Sequence, residues 1–197
     1  MGRWRPGATG RLAEAALDLY VERGYEQTTV AEIAERAGVT ARTFFRHFAD
    51  KREVLFAGSE VLQQRMVDAL AAAPADTAPL DAAAAALDAA AEMLGENHRH
   101  STRRQAVLMA NAELRERELI KMARLADALS DGLVARGVAA SDARLAAETA
   151  ITVFRVAFDA WVNGPASVEL ASLIRDSLAQ LSRLSAAAAD RTVPGRR

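Results

Sequence analysis

The side chains with the clearest chemical potential form a basic cluster in the first third of the chain. They are Arg42, Thr43, Arg46, His47 and Lys51. Residues 41–52 carry four Lys or Arg and one acidic residue, a local balance of +3 in a chain whose net charge is −1. An arginine near the start of a helix can donate two hydrogen bonds to O6 and N7 of guanine. The cluster therefore indicates nucleic-acid contact; the alternative is a solvated, charged face on an ordinary helical bundle.

Two short helices must position this cluster. The stretch from Thr29 to Glu32 has the form of a capping box. In it the Thr29 hydroxyl accepts from the Glu32 amide, and the Glu32 carboxylate accepts from the Thr29 amide. A helix from Thr29 to Ala37 is predicted, and Gly38 follows where the backbone must turn. Thr40 can cap a second helix, whose Phe44 and Phe48 share one buried face. This arrangement predicts a helix-turn-helix.

The ends of these helices are suited to phosphate. The amides that begin the helices at Thr29 and Thr40 can hold phosphate oxygens. A third cap at Asp50 has the capping-box form with Glu53 and predicts a longer helix that continues to about Ala73. We expect that helix to connect the basic cluster with the rest of the chain.

These motifs resemble the amino-terminal domain of TetR-family transcriptional regulators. The resemblance covers about residues 10–60 and rests on TTVAEIA at 28–34, AGV at 37–39, TFFRHF at 43–48, and Lys51. It implies that the helix from Thr40 enters the major groove of double-stranded DNA. Beyond residue 60 the resemblance is one of layout: a larger helical domain whose last two helices dimerise.

The resemblance also implies a role for each residue of the cluster. Arg42, Thr43 and Arg46 would contact bases or phosphates, while Thr29, His47 and Lys51 would hold the backbone. The family usually has tyrosine where this chain has Phe45, so a phosphate hydrogen bond is lost and an apolar contact, to a thymine methyl, is kept. Arg3, Arg5 and Arg11 could form a basic arm on the DNA, although a disordered end is favoured.

Composition excludes several other classes of protein. The 197 residues are 51% hydrophobic and 26% charged, which describes a folded chain with a full core. With no cysteine, disulfides, thiolate metal sites and cysteine nucleophiles are excluded. No apolar run approaches the roughly 18 residues of a membrane span and no signal peptide is evident, so a cytoplasmic protein without a membrane partner is expected.

Helical periodicity continues to the end of the sequence, with Pro and Gly between the periodic segments. We predict an all-α protein of eight to ten helices, in which Ser141 or Asp142 caps the penultimate helix and Ser167 caps the last. Residues 1–56 form the helix-turn-helix domain, with the motif at about 29–48. Residues 57–187 form an effector-binding and dimerisation domain, and 188–197 a disordered tail.

The last two predicted helices carry apolar stripes that suit self-association. The predicted dimer-interface residues are Val153, Val156, Ala160, Leu170, Ile174, Leu178 and Leu181. A four-helix bundle across a twofold axis would cover both stripes. The alternative is that both faces pack inside a monomer; the family resemblance favours the homodimer.

An effector pocket is expected between helices of the larger domain, lined by flexible and aromatic side chains. The candidates are Met66, Met93, Met109, Met122, Arg155 and Phe158, although Met and aromatic residues at helical spacing are more often plain core. A polar stripe made by Arg155 and Asp159 is either an ion pair or a ligand contact. His98 and His100 are two residues apart and point to different sides of a helix, so no metal site and no cofactor are predicted.

The sequence therefore predicts a homodimeric DNA-binding regulator, a repressor that a small hydrophobic effector releases from a palindromic operator. The alternative is a ligand-independent DNA-binding factor whose larger domain is a protein-interaction module. The sequence offers no nucleophile–base pair and no phosphate-binding glycine loop, so enzyme activity is not expected.

Overall fold

The computed structural model describes residues 7–192, with side chains through residue 187. This part of the chain forms ten helices and no strand, as the sequence predicts. They are α1 (Ala8–Arg23), α2 (Val30–Arg36), α3 (Ala41–His47), α4 (Lys51–Val54), α5 (Ser59–Ala72), α6 (Pro79–Gly95), α7 (His98–Ala110), α8 (Ala112–Ala135), α9 (Ala140–Asn163) and α10 (Leu170–Thr192).

Helices α1 to α4 form a small domain around one apolar cluster. Leu12 and Leu19 of α1, Ile33 of α2 and Phe44 of α3 are all buried there. The same cluster includes Leu108 and Leu114 from the junction of α7 and α8. The small domain therefore shares its core with the larger one, so a change in α7 or α8 reaches the small domain by direct packing.

Helices α5 to α10 form the larger domain, in which α5, α6, α8, α9 and α10 surround a second apolar cluster. Ala82, Ala83 and Ala86 of α6 and Ala143, Ala147 and Ala150 of α9 are fully buried and allow these helices to approach closely. Trp161 of α9 is the largest fully buried side chain, and its indole Nε1 donates to the Val168 carbonyl at 3.1 Å. These buried alanines are thus part of the close-packed core.

The predicted continuous helix from Asp50 to Ala73 is wrong. Helix α4 ends at Val54, a turn covers 55–58, and α5 begins at Ser59. The tight bond from the Phe56 amide to the Glu53 carbonyl and the burial of Leu55 and Phe56 in the small-domain core redirect the backbone. Packing has overridden helical propensity at this point.

Three further boundaries differ from expectation. The predicted cap at Ser141 or Asp142 is wrong, because α9 begins at Ala140 with no side-chain cap. Helix α10 begins at Leu170, three residues after the predicted cap at Ser167. It runs to Thr192, past the predicted start of the tail at 188; residues 193–197 lie outside the described residues.

Candidate nucleic-acid interface and interior cavity

Side-chain caps fix the start of both helices in the helix-turn-helix. The Thr29 hydroxyl accepts from the Glu32 amide at 3.3 Å, and Glu32 Oε2 accepts from the Thr29 amide at 2.9 Å. The bond from the Thr29 amide, together with one from the Thr29 hydroxyl, lowers the pKa of the Glu32 carboxyl. Thr40 Oγ1 accepts from the Thr43 amide at 3.2 Å. Both predicted caps are confirmed, so the directions of α2 and α3 are set locally.

The turn between these helices requires glycine. Gly38 has φ of +67°, and its amide donates to the Glu35 carbonyl at 3.0 Å. The Val39 amide then donates to the Ala34 carbonyl at 2.9 Å. This is a Schellman-type ending of α2, which directs the chain into α3.

The outer face of α3 is accessible. Arg42, Arg46 and His47 are exposed, Thr43 is half-buried, and Phe45 is 59% exposed. On the opposite side, Phe44 and Phe48 are buried, as predicted. The hydroxyl of Thr9 lies 3.2 Å from His47 Nδ1, which connects the start of α1 with this face. The predicted DNA-contacting residues of α3 therefore share one basic surface.

Lys51 differs from this group. Its ammonium donates to the carbonyl oxygens of Tyr25 and Thr28 at 2.9 and 3.2 Å, and it lies 4.3 Å from the centre of the Tyr25 ring. The Tyr20 hydroxyl donates to the Lys51 carbonyl at 2.6 Å. Lys51 thus holds the loop between α1 and α2, and a phosphate contact would compete with these carbonyl acceptors.

Ion pairs connect the small domain with α7 and α8. Glu53 of α4 pairs with Arg117 and, at 3.3 Å, with Lys121; burial raises the pKa of the Glu53 carboxyl, but these two cations outweigh it and leave the pKa lowered. Arg52 Nη1 lies 3.0 Å from Glu113 Oε1. Helix α8 therefore presents partners to α4 at three successive turns.

Helix α1 makes two matching pairs with α7. Glu14 Oε1 lies 3.1 Å from His100 Nδ1, and Asp18 Oδ1 lies 2.6 Å from Arg103 Nη2. Burial lowers the pKa of His100, which outweighs the opposite effect of Glu14. His100 is therefore mostly neutral at pH 7, and its contact with Glu14 is a hydrogen bond to a carboxylate.

A cavity of about 190 Å³ lies between the two domains. Its apolar wall comes from both, and includes Leu17, Val54, Phe56, Leu62, Met93, Met122, Phe154 and Phe158. Its polar wall includes Glu14, Asn97, His100, Arg104, Glu118 and Lys121. Most of the charged groups are paired: Arg104 Nη2 lies 2.9 Å from Glu118 Oε2. The cavity suits a ligand that is mainly apolar.

Of the predicted pocket residues, the structure brings Met93, Met122 and Phe158 together around this cavity. The other three lie elsewhere. Met66 is fully buried in the core of the larger domain, Met109 is 51% exposed at the end of α7, and Arg155 is exposed on α9. Helical spacing places an apolar side chain on a face but does not say whether that face meets a void.

Only part of the predicted dimer interface is accessible. Val153, Leu170 and Ile174 are buried in the subunit's own core, so they have no surface to offer a partner. Leu178 and Leu181 are half-buried, whereas Ala160 is exposed. The apolar side chains most exposed on α9 and α10 are Leu145, Val156 and Leu184, at 69%, 56% and 63%.

The two predicted non-ligands, His98 and His100, do point apart. His98 Nε2 lies 2.9 Å from the Trp161 carbonyl oxygen, and His100 faces Glu14. No cluster of three metal-ligating side chains is present among residues 7–187.

Sequence analysis did not single out Glu14, Arg103, Arg104 or Glu118 as functional. The sequence feature that could have indicated them is the basic segment HRHSTRR at 98–104, which belongs to none of the predicted motifs. Its partners are far away in sequence, on α1 and α8, and only the fold brings them together.

An exposed basic helix in a helix-turn-helix is an arrangement by which DNA-binding regulators contact the major groove. Residues 12–57 match the family described as "Bacterial regulatory proteins, tetR family". The amino-terminal domain of this chain is therefore similar to that of the TetR family.

Relatives agree with this assignment. The transcriptional regulator TcmR of Streptomyces glaucescens is 43% identical over 79 residues, which cover 40% of this chain and 35% of TcmR. The chain thus spans about a third of the length of that relative.

No helix in residues 7–192 has the length and apolar character needed to cross a bilayer.

Solved structures share the fold of both domains. The transcriptional regulator FadR of Bacillus subtilis, in complex with stearoyl-CoA, has a TM-score of 0.62 at 22% identity, covering 87% of this chain and 96% of FadR. SmeT, the repressor of the Stenotrophomonas maltophilia efflux pump SmeDEF, has a TM-score of 0.58 at 20% identity, covering 86% of each chain. These neighbours are regulators, not enzymes.

Proposed function

We propose that this protein is a homodimeric transcriptional repressor that a small-molecule effector releases from a palindromic operator. The observation that carries the proposal is the cavity, whose walls come from both the DNA-binding domain and the larger domain. An occupant of this cavity would touch the domain that reads DNA, so ligand and DNA can oppose each other through one coupling free energy. As a DNA-binding protein it would act in the cytoplasm.

DNA reading is assigned to the exposed face of α3. Arg42 and Arg46 are one turn apart and exposed, so both can reach base edges when α3 lies in the major groove. Thr43 and His47 are beside them, and the amino ends of α2 and α3 supply backbone amides for phosphates. Phe45 offers an apolar surface to a thymine methyl group.

Dimerisation is assigned to α9 and α10. Leu145, Val156 and Leu184 are exposed apolar side chains on these two helices, and Ala160 continues the α9 stripe. A twofold contact here would cover them and hold two copies of α3 about 34–36 Å apart, one turn of DNA, or a multiple of that distance. A monomer could read only one half-site.

Effector action is assigned to the turn at 55–58. Leu55, Phe56 and Ala57 line the cavity and lie directly between α4 and α5. A ligand that displaces this turn would move α4 and, through the shared apolar core, α3. The two recognition helices of a dimer would then lose the separation that the operator requires.

The first experiment is selection of bound duplexes from a random DNA pool at moderate salt. Arg42→Ala/Arg46→Ala is the test variant, and Arg144→Ala, an exposed cation on α9 paired with Asp127 and Glu148, is the matched control. A palindrome enriched by the wild type and the control, but not by the test variant, is expected. Enrichment of nothing by a folded wild-type dimer would overturn the proposal and favour an interaction module.

The dimer is tested separately by sedimentation. Val156→Glu/Leu184→Glu places charges on the exposed apolar stripe without touching the core. The expected result is a monomer with unchanged helicity that no longer binds the palindrome tightly. Val21→Glu, which is 50% exposed on α1, is the control and should stay dimeric. A dimer that survives the double change would place the interface elsewhere.

A further inference from the structure

A second, polar recess adjoins the apolar cavity. It is lined by Glu14, Asn97, Arg99, His100 and Arg103. Three of these residues, Glu14, Asn97 and His100, line the apolar cavity as well. The two spaces are therefore neighbours at the amino-terminal end of α7, one apolar and the other polar with two arginines.

The arginines of the polar recess come from the basic run of α7. Arg99 is exposed, and Arg103 is half-buried against Asp18 of α1. His100 lies between the two spaces and contacts Glu14 of α1. The arginines of the recess thus belong to α7, whereas the carboxylates that contact Arg103 and His100 belong to α1 of the DNA-binding domain.

We propose that the effector is an amphiphile with one apolar chain and an anionic head group, carboxylate or phosphate. The chain occupies the cavity beside Leu62, Met122 and Phe158, and the head binds Arg99 and Arg103 with His100 as a further donor. This inference rests on the proposed function, because it names the class of ligand that the regulator senses.

The same geometry gives the head group a part in regulation. An anion at Arg103 and His100 takes the place of Asp18 and Glu14, which lie one turn apart on α1. Two of the contacts that hold α1 against α7 are then replaced by contacts to the ligand. A neutral ligand of equal length fills the cavity but leaves both contacts intact, so it shifts the equilibrium less.

The test compares probes that share a chain and differ in the head: dodecanoyl-CoA, dodecanoate and dodecanol. Trp161 is the reporter, because its ring lies 5.7 Å from that of Phe158 on the cavity wall. The chain has two tryptophans, so Trp4→Phe leaves Trp161 as the single one. Each probe is titrated by fluorescence below its micellar concentration, and by release of the selected duplex.

We expect at least one of the two anionic probes to bind about tenfold or more tightly than dodecanol, since each charged hydrogen bond contributes roughly this factor. Arg99→Ala/Arg103→Ala should remove that advantage and leave dodecanol binding unchanged. Arg144→Ala is the matched control and should keep it. Stronger binding of dodecanoyl-CoA than of dodecanoate identifies a phosphate-bearing head; the reverse identifies a carboxylate.

Three results would overturn the inference: equal binding of dodecanol and both anionic probes, binding by none of the three, or an anionic preference that persists in the double variant. These binding measurements need no DNA, so they stand if the operator selection fails. Conversely, release of the duplex by dodecanol as efficiently as by the anionic probes would support the ligand-responsive regulator and reject the anionic head.

Discussion

Arg104 Nε donates to the carbonyl oxygen of Leu55 at 2.9 Å, which joins α7 of the larger domain to the turn between α4 and α5. The guanidinium also lies 5.0 Å from the centre of the Phe56 ring and pairs with Glu118 of α8. One side chain on the cavity wall therefore contacts the turn, the aromatic ring beside it and the neighbouring helix. It joins the cavity wall to the turn that follows α4.

Arg104→Ala removes these contacts and leaves the Glu118 carboxylate without its partner. We expect the free energy of unfolding to fall by about 1–3 kcal/mol, since the lost bonds are charged and largely buried. Urea unfolding followed by circular dichroism measures this change. Arg144→Ala removes an exposed pair and should not change stability measurably. Equal effects of the two variants would show that the Arg104 contacts stabilise the fold no more than the exposed Arg144 pair does.

Lys51→Met keeps the apolar stem of the side chain and removes the ammonium, which donates hydrogen bonds to the carbonyl oxygens of Tyr25 and Thr28. Stability should fall by about 1–3 kcal/mol because these acceptors lose a charged donor. If the ammonium also holds a DNA phosphate, as the family resemblance implies, affinity should fall equally on all sequences and the salt slope should drop by about one. A lower stability with an unchanged slope would restrict Lys51 to its role within the domain.

Phe45→Tyr should strengthen DNA binding. The ring is 59% exposed on the outer face of α3, so the added hydroxyl meets solvent in the unbound protein and a phosphate in the complex. We expect a gain of about 0.5–1.5 kcal/mol in binding, measured by fluorescence anisotropy on the selected palindrome. Stability should not change. Weaker binding would mean that the ring packs closely on a thymine methyl group instead.

Gly38→Ala should destabilise the helix-turn-helix by about 1–2 kcal/mol, because an L-residue is strained at a φ of +67°. A Cβ added at Gly38 meets no atom within 4 Å, so the cost is conformational and not steric. Asn tolerates this region better, and Gly38→Asn should recover much of the loss. Thermal melts of the three proteins decide this; equal melting temperatures for alanine and glycine would refute the strain.

Stability should fall as pH decreases through about 6.5. Burial lowers the pKa of His100 below its unfolded value of 6.5, so the unfolded state binds more protons there. The free energy of unfolding begins to fall near the pKa that His100 has in the unfolded state, and the loss is complete below the pKa that it has in the folded state. Glu14 opposes the shift, whereas Arg103 and Arg104 add to it. Urea midpoints at about pH 7.5 and 5.5 measure the slope, and His100→Gln should flatten it; the same slope in both proteins would exclude His100 as its source.

The DNA-binding motif was predictable from sequence because its determinants are local. The caps at Thr29 and Thr40, the turn at Gly38 and the buried pair Phe44 and Phe48 each depend on residues within about one helical turn. Such interactions keep the same geometry wherever the motif occurs. The all-helical fold class followed in the same way from the helical periodicity of the apolar residues and from the Pro and Gly residues between the helices.

The cavity and the contacts across the two domains were decided only by the tertiary structure. Met66, Met93 and Met109 are similar in sequence terms, yet one is core, one lines the cavity and one is exposed. The difference arises from which helix faces which, and α1 meets α7 across about 85 residues of chain. The local sequence predicted the caps of α2 and α3 and the buried side of each; packing decided where α4 ends and which helix faces meet, because long-range contacts have no local signature.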